Sequence, residues 1–231
     1  MKKGKVVFCT PTLTKLMPEF ISSLEASVPV IEAADWEHGM TVEQGNAYIS
    51  GARATMLRKA LNALADVIVF LDYDLSWPPE ALLKLIETEG DVVAGTYRFK
   101  KDEEEYMGWL EIVNHAVQVR DDGALKATHV PAGFLKITRR AVNRFMDGYP
   151  ELIYGERCLP HIDLFNHGAM GDRWFGEDYA FSKRWTELDG DIWLVPDLEI
   201  THHSSDAAYP GNFWRYVQGK NPTMRRLPKE N

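Results

Sequence analysis

Asp66-Val67-Ile68-Val69-Phe70-Leu71-Asp72-Tyr73-Asp74 is the stretch on which the reading of the fold turns. Its apolar part, Val67–Leu71, is unbroken and rich in β-branched residues, with no polar alternation. That is the pattern of a central strand covered on both faces. Two carboxylates follow at once, at the end of the strand where open α/β sheets bind their ligands. Acids at this spacing suit a hard divalent cation that also holds a diphosphate. Such an ion would neutralise charge building on a leaving nucleotide. The competing reading is a polar turn in which Asp74 caps the helix opened by Ser76-Trp77-Pro78-Pro79.

Working outward, residues 48–65 place Ile49, Ala52, Met56, Ala60, Leu61 and Leu64 near one face of a helix. Before it, 5–9 reads as an apolar strand broken by Pro11. A helix opens at Pro18 and runs to about 26, and a second strand is expected at 28–33. After it, Pro79 starts a helix carrying Ala81, Leu82, Leu85 and Ile86, followed by a buried strand at 91–94 closed by Gly95. Strands alternating with helices predict a parallel sheet with right-handed crossovers. Beyond Thr96 the rhythm changes. Short strands are expected at 107–113, Ala116–Val119 and Leu125–His129, around an Asp122-Gly123 turn. The apolar run 134–137 leads into a helix at 138–146. A polar, aromatic-rich loop follows, then a helix from about Glu177 and strands at 191–195 and 198–201. No repeat or linker interrupts the chain, so residues 1–231 read as one α/β domain: an alternating half to about residue 100, a mixed half over about 101–210, and a tail at 211–231.

A chain of 231 residues fits one such domain. It can bury roughly 70% of its unfolded surface, so no disulfide staple is needed. The hydrophobic share of 45% and charged share of 26% are those of a globular protein. A net charge of −8 argues against a general nucleic-acid binder. The basic start, Met1 to Lys5, is followed by an apolar run too short for an export signal, and no run approaches the ~20 residues of a membrane span. Cys9 and Cys158 lack metal or redox spacing. Cys9 is expected as a buried free thiol, in a reducing cytoplasmic setting. In the tail, Arg215, Lys220, Arg225, Arg226 and Lys229 face only Glu230, among Phe213, Trp214 and Tyr216. A basic aromatic tail suits peripheral membrane contact or a diphosphate; the alternative is a solvated terminus with packed aromatics.

Further motifs come in order: Cys9-Thr10-Pro11-Thr12 after the first strand, Ser50-Gly51-Ala52-Arg53 opening a helix, and Trp77-Pro78-Pro79 after the acidic strand end. Val93-Ala94-Gly95-Thr96-Tyr97, Pro131-Ala132-Gly133-Phe134-Leu135, Phe175-Gly176-Glu177-Asp178-Tyr179-Ala180-Phe181 and His202-His203 complete the set. With these the chain resembles the GT-A glycosyltransferases, particularly the small bacterial and viral enzymes with an aspartate–any–aspartate motif, over nearly its whole length. The resemblance implies a Rossmann-like, mostly parallel central sheet flanked by helices. Its first half would bind the nucleotide, and its mixed second half the donor sugar and acceptor. The activity implied is metal-dependent transfer of a sugar from a nucleotide-diphosphate sugar to an acceptor hydroxyl, with inversion.

By the same resemblance, Thr10, Pro11 and Thr12 hold the nucleoside, and Glu32 or Asp35 is a weaker ribose or base contact. Asp72 and Tyr73 touch the donor, and Asp72 and Asp74 bind Mn²⁺ or Mg²⁺, with His202 or alternatively His203 completing the shell. Strand alternation lets only one of the two histidines face the site. Arg53, with its fork of donors, is a diphosphate or base contact, or else a solvated helix arginine. Gly133 lies where a side chain would block close approach. Glu177 and Asp178 begin a helix, where the dipole favours acids. Asp178 is taken as general base and Glu177 as a substrate contact, with exchanged roles left open. The donor is a UDP-sugar by first choice, with GDP- and dTDP-sugars open. The acceptor is a glycan, a lipid-linked intermediate, a protein or a small molecule, chosen by the loop 150–174, where His161, Asp163 and His167 lie. There are departures: Ala54 follows Arg53 where an asparagine is common, and Ser204-Ser205 follow the histidines where a glycine is common. A sugar nucleotidyltransferase would need a glycine-rich phosphate loop, which residues 9–14 lack. A non-catalytic sugar- or nucleotide-binding module on a decayed fold would have been suggested by loss of Asp74 or the 177–178 acids, and all of these remain.

Overall fold

A computed structural model describes residues 2–228. The chain runs β1 (Gly4–Thr12), α1 (Pro18–Ala33), β2 (Trp36–Gln44), α2 (Ile49–Asn62), β3 (Val67–Leu71), β4 (Leu75–Ser76), α3 (Pro79–Glu87) and β5 (Val92–Ala94). The second half holds β6 (Trp109–Leu110), β7 (Ile112–Val113), β8 (Ala116–Val119), β9 (Leu125–His129), β10 (Phe134–Thr138) and α4 (Arg139–Gly148). After a short 3-10 turn come β11 (Ile153–Glu156), β12 (Leu159–Ile162), β13 (Gly168–Met170), β14 (Arg173–Phe175) and α5 (Glu177–Glu187). The chain ends with β15 (Ile192–Leu194), β16 (Glu199–His203), β17 (Ala208–Asn212), α6 (Phe213–Gly219) and β18 (Thr223–Arg226).

The main sheet has the order β18-β8-β9-β15-β5-β10-β3-β1-β2, with β6 on β9 and β7 on β8. Pairs β2–β1, β1–β3 and β5–β15 are parallel, while β10 enters antiparallel between β3 and β5. Every residue of β3 is buried, as its unbroken apolar run requires. Alternation divides the strands between two cores. Val7, Cys9, Ile68 and Phe70 face α2, α4 and α5 through Met56, Val142 and Phe181. Val6, Phe8, Val67, Val69 and Leu71 face α1 and α3 through Phe20, Ile31, Leu82 and Leu85. This is the α/β class expected, a central sheet flanked by helices with a mixed second half.

One element differs. Residues 28–33, read as a strand, form the second half of α1, and the second strand is β2 instead. The Val28-Pro29-Val30-Ile31 run is locally strand-like, but Phe20, Ser27 and Ile31 fall on one buried helical face. Ser27 also accepts a hydrogen bond from the Trp77 indole at 3.0 Å. Tertiary packing outweighs the local preference. The correction moves Glu32 and Asp35 away from the proposed ribose contact. Asp35 follows α1 and immediately precedes Trp36, which pairs with Gly4 at the amino end of β1, the edge opposite the acidic strand end.

The loop 150–174 folds into two hairpins, β11–β12 and β13–β14. The tail is built into the fold as well: Phe213 is buried, Phe213 and Tyr216 pack on Tyr106, and β18 pairs in parallel with β8. All three aromatics that suggested membrane contact therefore pack against protein, Trp214 included. Lys229 and Glu230, counted in the tail's charge, lie outside the described residues, as does Met1. Among the described residues, no helix is long and apolar enough to cross a membrane. Cys9 is a buried free thiol, pushed well above its usual pKa by burial, and Cys158 is exposed and free.

Candidate active site

Two connections bring the acids and a histidine together beyond the carboxyl end of β3. After Asp72 and Tyr73 the chain forms β4, which pairs antiparallel with β16 in a small separate sheet, His202 opposite Leu75. That pairing sets His202 Nε2 3.4 Å from Asp74 Oδ2. His202 Nδ1 lies 2.8 Å from the Arg98 carbonyl oxygen. A carbonyl can only accept, so Nδ1 carries a proton; Nε2 faces Asp74, donating to it when the ring is protonated and presenting its lone pair when the ring is neutral. This is the outer hydrogen bond that typically orients a ligating histidine. His203 turns the other way, with Nε2 2.7 Å from Ser76 Oγ. Alternation in β16 thus separates the two histidines.

The second connection is β10. Asp72 N–H donates to the Gly133 carbonyl at 2.9 Å, just before β10 begins its pairing with β3. A Cβ on Gly133 would stand 2.2 Å from Tyr97 Oη and 2.3 Å from Asp72 Oδ2, so this position has room only for glycine.

Arg53, on α2, joins the strand end to α5. It is buried, 3% exposed, and donates to Asp72 Oδ1 at 3.2 Å and to Glu177 Oε1 at 3.0 Å. Its guanidinium lies over the Phe165 ring at 4.9 Å. Desolvation works against its charge, but Asp72 and Glu177 more than offset that and raise its pKa. Its Nε is buried without a protein partner. Asp72 is held on its other oxygen by the Tyr97 hydroxyl at 3.1 Å. Both Asp72 oxygens therefore accept from protein donors. Burial raises its pKa, with Arg53 pulling the other way. Burial and then the Asp72 charge push the Tyr97 hydroxyl far above its usual range, so it stays a donor.

Asp74 differs. Its Oδ2 meets Lys100 Nζ at 2.5 Å as well as His202. Burial would raise its pKa, but the hydrogen bonds from His202 and Lys100 outweigh it and hold the carboxyl below the usual range. Asp178 is different again. Its Oδ1 accepts from the Tyr179 N–H at 2.8 Å, while burial, then the charge of Glu177, pushes its pKa up to about 6. Glu177 is tied to Arg53, whereas Asp178 has no ion-pair partner among the described residues. Four carboxylates thus gather against the cations Arg53 and Lys100.

At the end of β1, Thr10, Pro11 and Thr12 are buried. Thr10 Oγ1 has no protein partner, and Thr12 Oγ1 accepts from Thr14 N at 3.3 Å. Tyr73 is half-buried, and its carbonyl accepts from Met17 N. Ala54, where an asparagine is common, is buried in the helix packing. Sequence reading gave no role to Tyr97 or Lys100. Tyr97 stands in a quoted motif but reads there as an apolar strand end. Lys100 sits in a basic run before Asp102-Glu103-Glu104-Glu105, a pattern that reads as a solvated turn.

The four acids do not line the larger grooves. One groove, of about 740 Å³, opens beside them at Tyr179, lined also by Trp109, His129, Arg173, Trp174 and Lys183. Trp109, His129 and Tyr179 form a ring cluster with centroids 5.0 to 5.4 Å apart. Arg173 and Trp174 come from the 150–174 segment. Among the described residues, no group of three or more His, Cys, Asp or Glu is arranged to hold a metal ion unaided. Asp74 and His202 supply one oxygen and one imidazole, a donor pair suited to a divalent ion that brings its remaining ligands with it.

No protein-family model matches the chain, and no curated protein sequence does. Among solved structures, the crystal structure of A197 from STIV aligns over 100% of both chains, at 14% identity and a TM-score of 0.52. That likeness is one of fold. The catalytic domain of Drosophila beta1,4galactosyltransferase 7, in complex with xylobiose, aligns with 98% of this chain and 77% of its own at 11% identity and a TM-score of 0.47. S. aureus TarS 1–349 aligns with 91% of this chain and 60% of its own at 14% identity and a TM-score of 0.45.

Two substitutions test this geometry. Gly133→Ala should cost about 1–3 kcal/mol in urea unfolding, because Tyr97 or Asp72 must move. Gly219→Ala, where an added Cβ meets nothing within 4 Å, should not be destabilising. Asp178→Asn should stabilise the protein at pH 7.5 by about 1–3 kcal/mol. The folded-state pKa of Asp178, about 6, lies above the ordinary aspartate value of 3.8. Its ionisation therefore costs stability above about 6, and the advantage of the variant should vanish as pH falls from 6 to 4. An advantage independent of pH would assign the effect to something other than this carboxyl.

Proposed function

We propose that this protein is a nucleotide-sugar-dependent glycosyltransferase, acting with inversion through Asp178 as general base. The observation that carries the reading is the charge of the site: four carboxylates against the cations Arg53 and Lys100, at the strand end where open α/β sheets commonly bind ligands. A dianionic diphosphate cannot enter such a site alone. It needs a cation to accompany it, and Asp74 and His202 are the residues that would hold one. When bound, Mn²⁺ or Mg²⁺ supplies Lewis-acid neutralisation of the charge on the leaving diphosphate.

The chain's own residues do the rest. Thr10, Pro11 and Thr12 border the nucleoside, and the unpartnered Thr10 hydroxyl is a ready contact for it. Asp72 is clamped by Arg53 and Tyr97, one on each oxygen, which holds it for the donor; each oxygen keeps a further lone pair with which it would join Asp74 at the cation. Arg53 spends two of its five N–H groups on Asp72 and Glu177, and the rest are the donors it would offer a substrate. Glu177 is ion-paired to Arg53, so of the adjacent acids Asp178 is the one without a cationic partner among the described residues and is the proposed base. A carboxylate with a pKa of about 6 is ionised at neutral pH yet more basic than an ordinary aspartate. The acceptor hydroxyl would approach from the groove at Tyr179, whose aromatic faces suit the apolar side of a sugar ring. A UDP-sugar is the first donor to try, with GDP- and dTDP-sugars next, and a glycan acceptor fits the groove better than a lipid.

A thermal-shift series with UDP, GDP, dTDP and their sugars, each with and without Mn²⁺, tests this. The expected result is manganese-dependent stabilisation by one nucleotide family, lost in Asp74→Ala. Sugar transfer should fall by a factor of about 10² or more in Asp178→Asn, with nucleotide binding retained. A cooperative melt unmoved by every nucleotide would overturn the reading. Release of pyrophosphate from a nucleoside triphosphate and a sugar phosphate would favour a nucleotidyltransferase instead.

A further inference from the structure

The segment from Tyr97 to Lys100 touches Asp72, Asp74 and His202. The Tyr97 hydroxyl donates to Asp72, the Arg98 carbonyl orients His202, and the Lys100 ammonium sits on Asp74. The Tyr97 ring also packs edge-on against His202, with centroids 5.0 Å apart. Lys100 Nζ is 2.5 Å from Asp74 Oδ2, the same oxygen that His202 Nε2 faces at 3.4 Å. An ammonium therefore stands on the oxygen that a divalent ion held by Asp74 and His202 would need.

We propose that Lys100 is a placeholder cation: it occupies the Asp74–His202 position until the diphosphate arrives, and then moves to a phosphate oxygen of the donor. The inference rests on reading that pair as the cation site. The backbone around Lys100 is anchored, with Phe99 N–H on the Glu105 carbonyl at 3.0 Å and the Arg98 guanidinium on the Asp102 carbonyl at 2.9 Å. The Lys100 side chain is not so confined; about a third of it, 34%, is exposed. Its charge can thus swing on a four-carbon stem while the segment stays fixed. A bare divalent ion entering the site would have to expel an ammonium from a carboxylate with nothing to receive it. An ion arriving with a diphosphate brings the phosphate oxygens that take the ammonium up. Lys100 accordingly makes cation binding conditional on nucleotide and adds a contact to the donor once it has moved.

The test is titration of Mn²⁺ alone, followed by the electron paramagnetic resonance signal of the free ion, on wild type, Lys100→Met and Lys100→Gln. Removing the ammonium should tighten binding of the bare ion by about tenfold or more, and the gain should vanish in the Asp74→Asn/Lys100→Met double variant. Calorimetry with UDP in saturating Mn²⁺ should show the opposite sign, with the Lys100 variants binding UDP more weakly. Equal affinities for bare Mn²⁺ in wild type and both variants would overturn the placeholder role. If wild type still took up Mn²⁺ together with UDP, the proposed function would stand while this inference fell. If no Mn²⁺ were bound under any condition and transfer persisted in chelator, both the cation site and the placeholder would be wrong.

Discussion

The junction at Arg53 is the interaction on which the site depends. A guanidinium 3% exposed would be costly to bury alone, and it is buried because Asp72 and Glu177 accept from its two arms. Those acids are far apart in the chain. One ends the central strand and the other begins α5, so the pair ties the two halves of the fold together at the point where a ligand would sit. The Phe165 ring under the guanidinium closes its third side. Charges fixed this way hold Asp72 and Glu177 in single orientations, and leave Asp74 and Asp178 as the acids with chemistry to spare.

Topology explains why the remaining groups converge. Insertion of β10 antiparallel between β3 and β5 carries Gly133 across the end of β3, close enough to touch Asp72. No parallel crossover is required to deliver it. The small sheet formed by β4 and β16 does the same for His202, whose partner across the pair is Leu75, one residue past Asp74. The His203 N–H donates to the Asp74 carbonyl at 2.8 Å, so the backbone fixes the approach before the side chains act. Two brief antiparallel contacts thus position the chemistry at the edge of a largely buried frame.

That frame was legible in the sequence because its signals are local. An unbroken apolar run such as Val67–Leu71 can only be satisfied by cover on both faces, and the helical spacing of Ala81, Leu82, Leu85 and Ile86 is equally direct. Residues 28–33 were not legible, since their helical state depends on Trp77 reaching Ser27 across fifty positions of chain. Sequence order anticipated that the acids and His202 would lie near one another. It carried no sign that Asp72 would have both oxygens engaged, because Tyr97 and Arg53 reach it from separate elements. Lys100 was hidden for a related reason: a lysine in a charged turn looks solvated until the turn is seen to fold over an aspartate. The tail misled in the opposite direction, because Phe213 and Tyr216 find their partner in Tyr106, which no spacing rule connects to them.

The division of labour between Glu177 and Asp178 follows from the same electrostatics. Adjacent acids at a helix start are interchangeable in sequence, and the helix dipole favours both. Folding breaks that symmetry by giving Glu177 an arginine and giving Asp178 only a backbone N–H. Glu177 is held by its arginine, while its neighbour is buried beside it and pushed up to about 6. On the proposed reading, a pair of like residues thereby becomes one structural anion and one proton acceptor, a separation of roles that environment commonly imposes on catalytic carboxylates. The energy stored in the ionised Asp178 is relieved whenever it takes a proton, and in an inverting transfer the acceptor hydroxyl is where that proton would come from.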